Sequence, residues 1–153
     1  MKIRAWREAV AQGGDRPNPV DEVLQRGSRS EVAEILGPWY RSQGWRVGAW
    51  PSGGVIDFDL TREGTRTLVS LDPLLALRVN ESWLRETLHT TLALGADRLI
   101  AVSGGGSTWA ADALLSSNRG CLELVDGPAL RRLLVRALNR APGPPQDRSV
   151  VAA

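Results

Sequence analysis

The sequence predicts one α/β domain, a mixed β-sheet flanked by helices on both faces in the order α-β-β-β-α-β-α-β-α. Two observations predict it. Three short strand-like segments follow one another between residues 45 and 71, and from residue 80 onward helical and strand patterns alternate. Alternation of that kind implies right-handed crossovers between parallel strands, added to an antiparallel meander. A chain of 153 residues with 42% apolar side chains supports one compact core and is too short for two ordinary domains.

The elements follow in order. Residues 1–27 read as an N-terminal appendage, with a short helix candidate over Ile3 to Ala11 and then the breakers Gly13-Gly14 and Arg16-Pro17-Asn18-Pro19. Residues 28–140 form the main domain. Ser28-Arg29-Ser30-Glu31 fits a capping box, and Val32, Ile35, Leu36, Trp39 and Tyr40 follow at helical spacing. This helix should run to about Gln43 and stop at Gly44, kinked or shortened by Gly37-Pro38. Trp45–Trp50, Val55–Leu60 and Thr65–Leu71 read as three antiparallel strands, the last two joined by a turn at Arg62-Glu63-Gly64. Asn80 or Ser82 caps a helix with Leu84, Leu88 and Leu92 every four residues, ending at Gly95. Arg98–Val102 reads as a buried strand, Thr108 caps a helix through about Ser117, Cys121–Val125 is the last strand and Pro128–Arg140 the last helix. Residues 141–153, opening Ala-Pro-Gly-Pro-Pro, have the composition of a disordered tail.

Composition excludes several function classes. One cysteine, Cys121, and one histidine, His89, cannot form an intramolecular disulfide or a Cys/His zinc cluster, which fits a reducing cytoplasm. The N-terminal segment reads as neither signal peptide nor membrane anchor, and no apolar run is long enough to span a bilayer. A net charge of +2 is too small to announce nucleic-acid binding by itself. The distribution is more informative, because Arg131, Arg132, Arg136 and Arg140 follow one another with no acid between Pro128 and Arg140. Lys2 is the only lysine, beside eighteen arginines, a bias that a GC-rich genome also produces.

Four segments, Gly44-Trp45-Arg46-Val47, Gly53-Gly54-Val55-Ile56-Asp57, Leu94-Gly95-Ala96-Asp97-Arg98-Leu99-Ile100 and Val125-Asp126-Gly127 with Leu130 and Leu133-Leu134, carry a resemblance over roughly Ser30 to Leu134. In their order and spacing they resemble the catalytic domain of the Mrr family of type IV restriction enzymes, within the PD-(D/E)xK nuclease superfamily. The resemblance implies a restriction-endonuclease-like fold, double-stranded DNA as partner, and a magnesium or manganese ion where the enzyme is active. It also implies catalytic positions: an aspartate ending the "GGxxD" strand, a glutamate or glutamine on the next strand, and a lysine two residues beyond. Asp57 matches the first, but Ser70 and Asp72 fall on the second and third. Serine is a poor magnesium ligand, and an aspartate in place of lysine reverses the charge that would support the developing anion. Arginine cannot act as the proton acceptor, because its pKa exceeds about 12.

The departure leads to a pseudo-nuclease that keeps DNA binding, acting alone or with a protein partner in defence or DNA repair. A rescued enzyme is the alternative, with Asp57 and Asp59 on one strand face and Asp72 on the neighbouring strand forming a carboxylate cluster around one metal ion. Glu31 or Glu34, on the first helix where the family often places an acid, can join it. Against that stands the plainer reading of Asp59 and Asp72 as strand-end residues, with Asp72 favoured before Pro73 by turn chemistry. A third reading, from another class, is a protein-interaction or self-assembly module.

Other features have competing explanations. Ser103-Gly104-Gly105-Gly106-Ser107-Thr108 stands between strand and helix, where backbone N–H groups can hold a phosphate, but it lacks the Walker lysine and the GxGxxG spacing. A flexible turn is the simpler expectation. Arg131, Arg132 and Arg136 read as a solvated helix face or as a phosphate-binding stripe. Of six tryptophans most belong to the core, while Trp50 and Trp109 are candidates for exposed contacts with nucleic acid. His89 reads as a surface residue and Cys121 as a small hydrophobe.

Overall fold

The computed structural model describes residues 19–26, 29–49, 55–72 and 78–139. The elements are α1 (Pro19–Arg26), α2 (Arg29–Ser42), β1 (Arg46–Ala49), β2 (Phe58–Arg62), β3 (Thr65–Leu71), α3 (Glu81–Ala93), β4 (Arg98–Val102), α4 (Trp109–Ser117), β5 (Leu122–Val125) and α5 (Gly127–Asn139). The helix expected over Ile3–Ala11, the residue Trp50, and the tail 141–153 lie outside the described residues. Among those described, no helix is long and apolar enough to cross a membrane.

The five strands form one sheet in the order β1-β2-β3-β4-β5. β1, β2 and β3 are an antiparallel meander, and β4 and β5 add in parallel. This is the expected mixed sheet. The β2–β3 hairpin turns at Glu63 and Gly64, both at positive φ (53° and 81°), the backbone that a tight hairpin loop requires. Gly95, at φ 80°, ends α3 as its sequence predicts. Asn80 Oδ1 accepts from Trp83 N, Thr108 Oγ1 from Ala111 N, and Asp126 Oδ1 from Ala129 N, so α3, α4 and α5 each start on a side-chain cap.

Alternation along the strands divides the core. Val69 and Leu71 on β3, with Ile100 and Val102 on β4, face α1, α2 and α5, where Ile35, Leu36, Leu130 and Leu134 are fully buried. Leu99 and Ala101 face the other way, onto Leu84 and Leu88 of α3 and Ala111 of α4. Each fully buried Leu or Ile contributes roughly 1.5–3 kcal/mol by leaving water.

Four expectations need correction. α1 is a helix where only breakers were read: Pro19 stands at its first position, where a missing N–H costs nothing, and Val20 and Val23 bury against α5. α2 runs to Ser42, close to the expected Gln43, without the shortening that Gly37-Pro38 suggests. Pro38 is exposed, and a Cβ on Gly37 would make only ordinary contact with Val47 Cγ1 at 3.9 Å. Leu92 does not join the apolar stripe of α3 and is 46% exposed, because α3 turns Thr87 and Thr91 inward and satisfies their hydroxyls on the carbonyls of Trp83 and Thr87. The glycine turn is tightly packed where a loose one is expected. Arg78 and Gly106 form a parallel bridge, Gly127 N donates to Gly105 O at 2.8 Å, and a Cβ on Gly105 would meet the Arg78 carbonyl carbon at 2.5 Å.

Candidate functional site

β2 runs antiparallel to β3, and β3 parallel to β4, so the start of β2 and the ends of β3 and β4 lie at one edge of the sheet. The N-terminus of α2 reaches the same edge. Asp57, Ser70, Asp72, Ser103 and Arg29 meet there.

Asp57 lies just before β2, because that strand begins at Phe58 and not at Val55. Its backbone still pairs, N donating to Val69 O at 2.9 Å. Its Oδ2 accepts twice, from Leu71 N at 2.7 Å and from Arg29 Nη2 at 2.8 Å. Arg29 was not singled out in the sequence. The capping-box motif drew attention to Ser28 and Ser30, and nothing local marks the arginine between them as reaching a strand 28 positions away.

Ser70 is fully buried and its hydroxyl donates to the Val55 carbonyl. Asp72 is 3% exposed, its Oδ2 accepting from Ser103 Oγ at 3.3 Å while its N–H continues the ladder to Val102 O. Burial pushes the Asp72 carboxyl above the usual aspartate range, and the Ser103 hydroxyl and the Arg29 charge oppose this. Ser103 Oγ also accepts from Gly105 N, tying the glycine turn to the same corner.

The expected cluster of Asp57, Asp59 and Asp72 does not assemble. Asp57 turns along the sheet plane to the Leu71 N–H, whereas Asp59, paired with Gly48 and Leu68 across the strands, is drawn to Arg66 Nε at 3.5 Å. Among the described residues no group of three or more His, Cys, Asp or Glu side chains is placed to hold a metal ion. The donors present do not fit magnesium or manganese, which need several anionic or carbonyl oxygens converging on one point. Asp57 already accepts a guanidinium and an N–H, the Ser70 hydroxyl is spent on Val55, and burial favours the neutral form of Asp72. Glu31 lies in the first turn of α2 and is half-buried.

The expected nucleic-acid residues separate. Arg131 is paired with Asp21, a contact that lowers the Asp21 carboxyl and fastens α1 to α5. Arg132 and Arg136 are exposed, but α5 starts at the site edge and runs away from it, so they lie toward the opposite edge. There, beside Trp39 and Tyr40, they border an open groove of about 370 Å³. At the site edge itself Trp109 is 87% exposed, three residues beyond Gly106, and the exposed Arg78 pairs with that glycine. His89 is exposed, and Cys121 is half-buried against the α3–α4 core.

No family model and no curated protein matches this chain. Among solved structures it is similar to the MspJI restriction endonuclease in complex with a 27-mer oligonucleotide, with a TM-score of 0.51 and 15% identity over 98% of this chain. The chain spans 35% of that neighbour's length. The likeness is one of fold: a mixed five-stranded sheet with helices on both faces, restriction-endonuclease-like.

Proposed function

We propose that this chain is a DNA-binding domain of restriction-endonuclease-like fold, akin to the Mrr family, in which metal-dependent catalysis has been lost. The observation that carries this reading is the Arg29–Asp57 pair at 2.8 Å. A guanidinium occupies the one carboxylate that matches the nuclease pattern, in the place a hydrated cation would take. It cannot lower the pKa of a water as a bound metal does. Arg78 and Trp109 at the same edge offer a phosphate contact and a flat apolar surface, and the fold's neighbour was solved with an oligonucleotide.

The test is anisotropy of a labelled DNA duplex across a salt series, with and without magnesium or manganese, followed by a denaturing gel of the same samples. Expected are binding that weakens steeply with salt, no dependence on the metal, and uncut DNA. Cut DNA would replace this reading with the active endonuclease. Absence of binding at low salt would leave an interaction module on an inherited fold.

A further inference from the structure

The groove at the edge opposite the site is a separate feature, formed where the C-terminal half of α2 passes α5 above β5. Its wall is the half-buried Trp39, its floor the buried Tyr40, and its rim carries Gln43, Glu123, Arg132 and Arg136. Arg132 and Arg136 are one helical turn apart, about 5–6 Å between Cβ atoms, and so project to the same side. Neither has a carboxylate partner among the described residues, whereas their neighbour Arg131 is paired with Asp21. Glu123, the acid on this rim, is drawn to Arg98 on β4 at 3.5 Å. Two adjacent guanidiniums are therefore left uncompensated beside an aromatic wall. Burial and the nearby Glu123 charge hold the Tyr40 phenol protonated, so it remains a donor.

The geometry points to a binding site for one nucleoside 5′-phosphate unit, its phosphate clamped by Arg132 and Arg136 and its base laid against Trp39. Paired guanidiniums match phosphate oxygens in a planar fork, and aromatic rings stack bases of any identity. The volume, at the small end of the roughly 300–1,000 Å³ typical of ligand sites, suits a single nucleotide. Glu123 beside the base accepts from amino groups, so adenine, guanine and cytosine are favoured over thymine. The unit can be a free nucleotide or one residue of a single strand, and the site does not depend on duplex binding at the Arg29–Asp57 edge.

Calorimetric titration of the full chain with the four deoxynucleoside 5′-monophosphates, the matching nucleosides, inorganic phosphate and a short single-stranded oligonucleotide tests this. Expected are saturable binding of the monophosphates, at least tenfold weaker binding of nucleosides and of phosphate alone, and a further tenfold loss in each of Arg132→Ala and Arg136→Ala, since a charge-assisted contact is removed. Glu123→Gln should narrow the preference for amino-bearing bases. A single strand that binds while monophosphates do not assigns the site to nucleic-acid strands, and the reverse assigns it to free nucleotides. Binding unchanged in both arginine variants, or no binding of either class, overturns the proposal. Both arginines are exposed, so the variants keep the fold.

Discussion

Arg29 Nη2 and Asp57 Oδ2 meet at 2.8 Å across 28 positions of chain, and the same oxygen accepts the Leu71 N–H at 2.7 Å. Removing different members of this corner has unequal costs. Asp57→Ala strands both donors and should cost about 2 kcal/mol, whereas Arg29→Ala should cost about 1 kcal/mol or less, because the guanidinium side chain is 41% exposed and screened by water. Asp57→Asn keeps an acceptor for Leu71 and should fall between. Urea unfolding of the three variants gives the order. If Arg29→Ala were the costliest, the ion pair and not the backbone bond would be holding the corner.

The same pair bears on metal binding. Millimolar manganese should leave the melting temperature of the wild-type chain unchanged, since a ligand stabilises only by binding the folded state. A rise on addition of manganese, abolished in Asp57→Ala, would show a metal site in place of the ion pair.

Asp72 gives the stability a pH dependence of defined sign. Its folded-state pKa lies above the ordinary 3.8, so the folded chain holds this proton more tightly than the unfolded one. Stability from this group is full below that ordinary value and is lost as the pH rises through the raised folded value. Asp72→Asn, which keeps an acceptor for Ser103, should flatten this component and melt higher than wild type at neutral pH. Denaturation curves of both proteins over an acid-to-neutral series check it, and parallel curves would be evidence against it.

Tyr40 is the only tyrosine in the chain, so its phenolate can be followed by ultraviolet absorbance. Its pKa is raised above the ordinary 10, first by burial and second by Glu123. The absorbance should stay flat through that value and rise only as alkali unfolds the chain. Stability should fall as the pH climbs above 10. A normal titration at 10 in the folded protein would mean that the ring is open to water.

Gly105 and Gly48 both face crowded space, with different consequences. A Cβ at Gly105 meets the Arg78 backbone at 2.5 Å, which cannot yield, and Gly105→Ala should cost about 2–3 kcal/mol. A Cβ at Gly48 meets only the end of the Asp59 side chain, which can swing away from Arg66, so Gly48→Ala should cost about 1 kcal/mol or less. Thermal melts of the two variants side by side decide the order.

Much of the fold was legible because its signals are local. Asn80, Thr108 and Gly95 mark helix ends by chemistry within four residues, and the Thr65–Leu71 strand was bounded by turn residues on one side and Asp72-Pro73 on the other. The missed parts depend on distant partners. α1 is a helix because Val20 and Val23 find α5 more than a hundred residues later in sequence, a contact that no window around Pro19 contains. At the candidate site the sequence indicates which residues come near one another and not how they pair. Asp57, Ser70 and Asp72 do share one edge of the sheet, but which of them Arg29 would reach depended on where β2 begins, and boundaries carry the weakest sequence signal.

Arg78 and Gly105 lie in the connections after β3 and β4, Gly127 opens α5 just after β5, and the three meet through backbone atoms. That meeting point needs both parallel crossovers in place, and we expect it to form late in folding. Strain placed there should be felt on the way out and not on the way in: Gly105→Ala should speed unfolding while leaving the refolding rate nearly unchanged, giving a chevron displaced on one limb. A chevron displaced on the unfolding limb alone would mark the glycine turn as the latch that sets how long the native state survives.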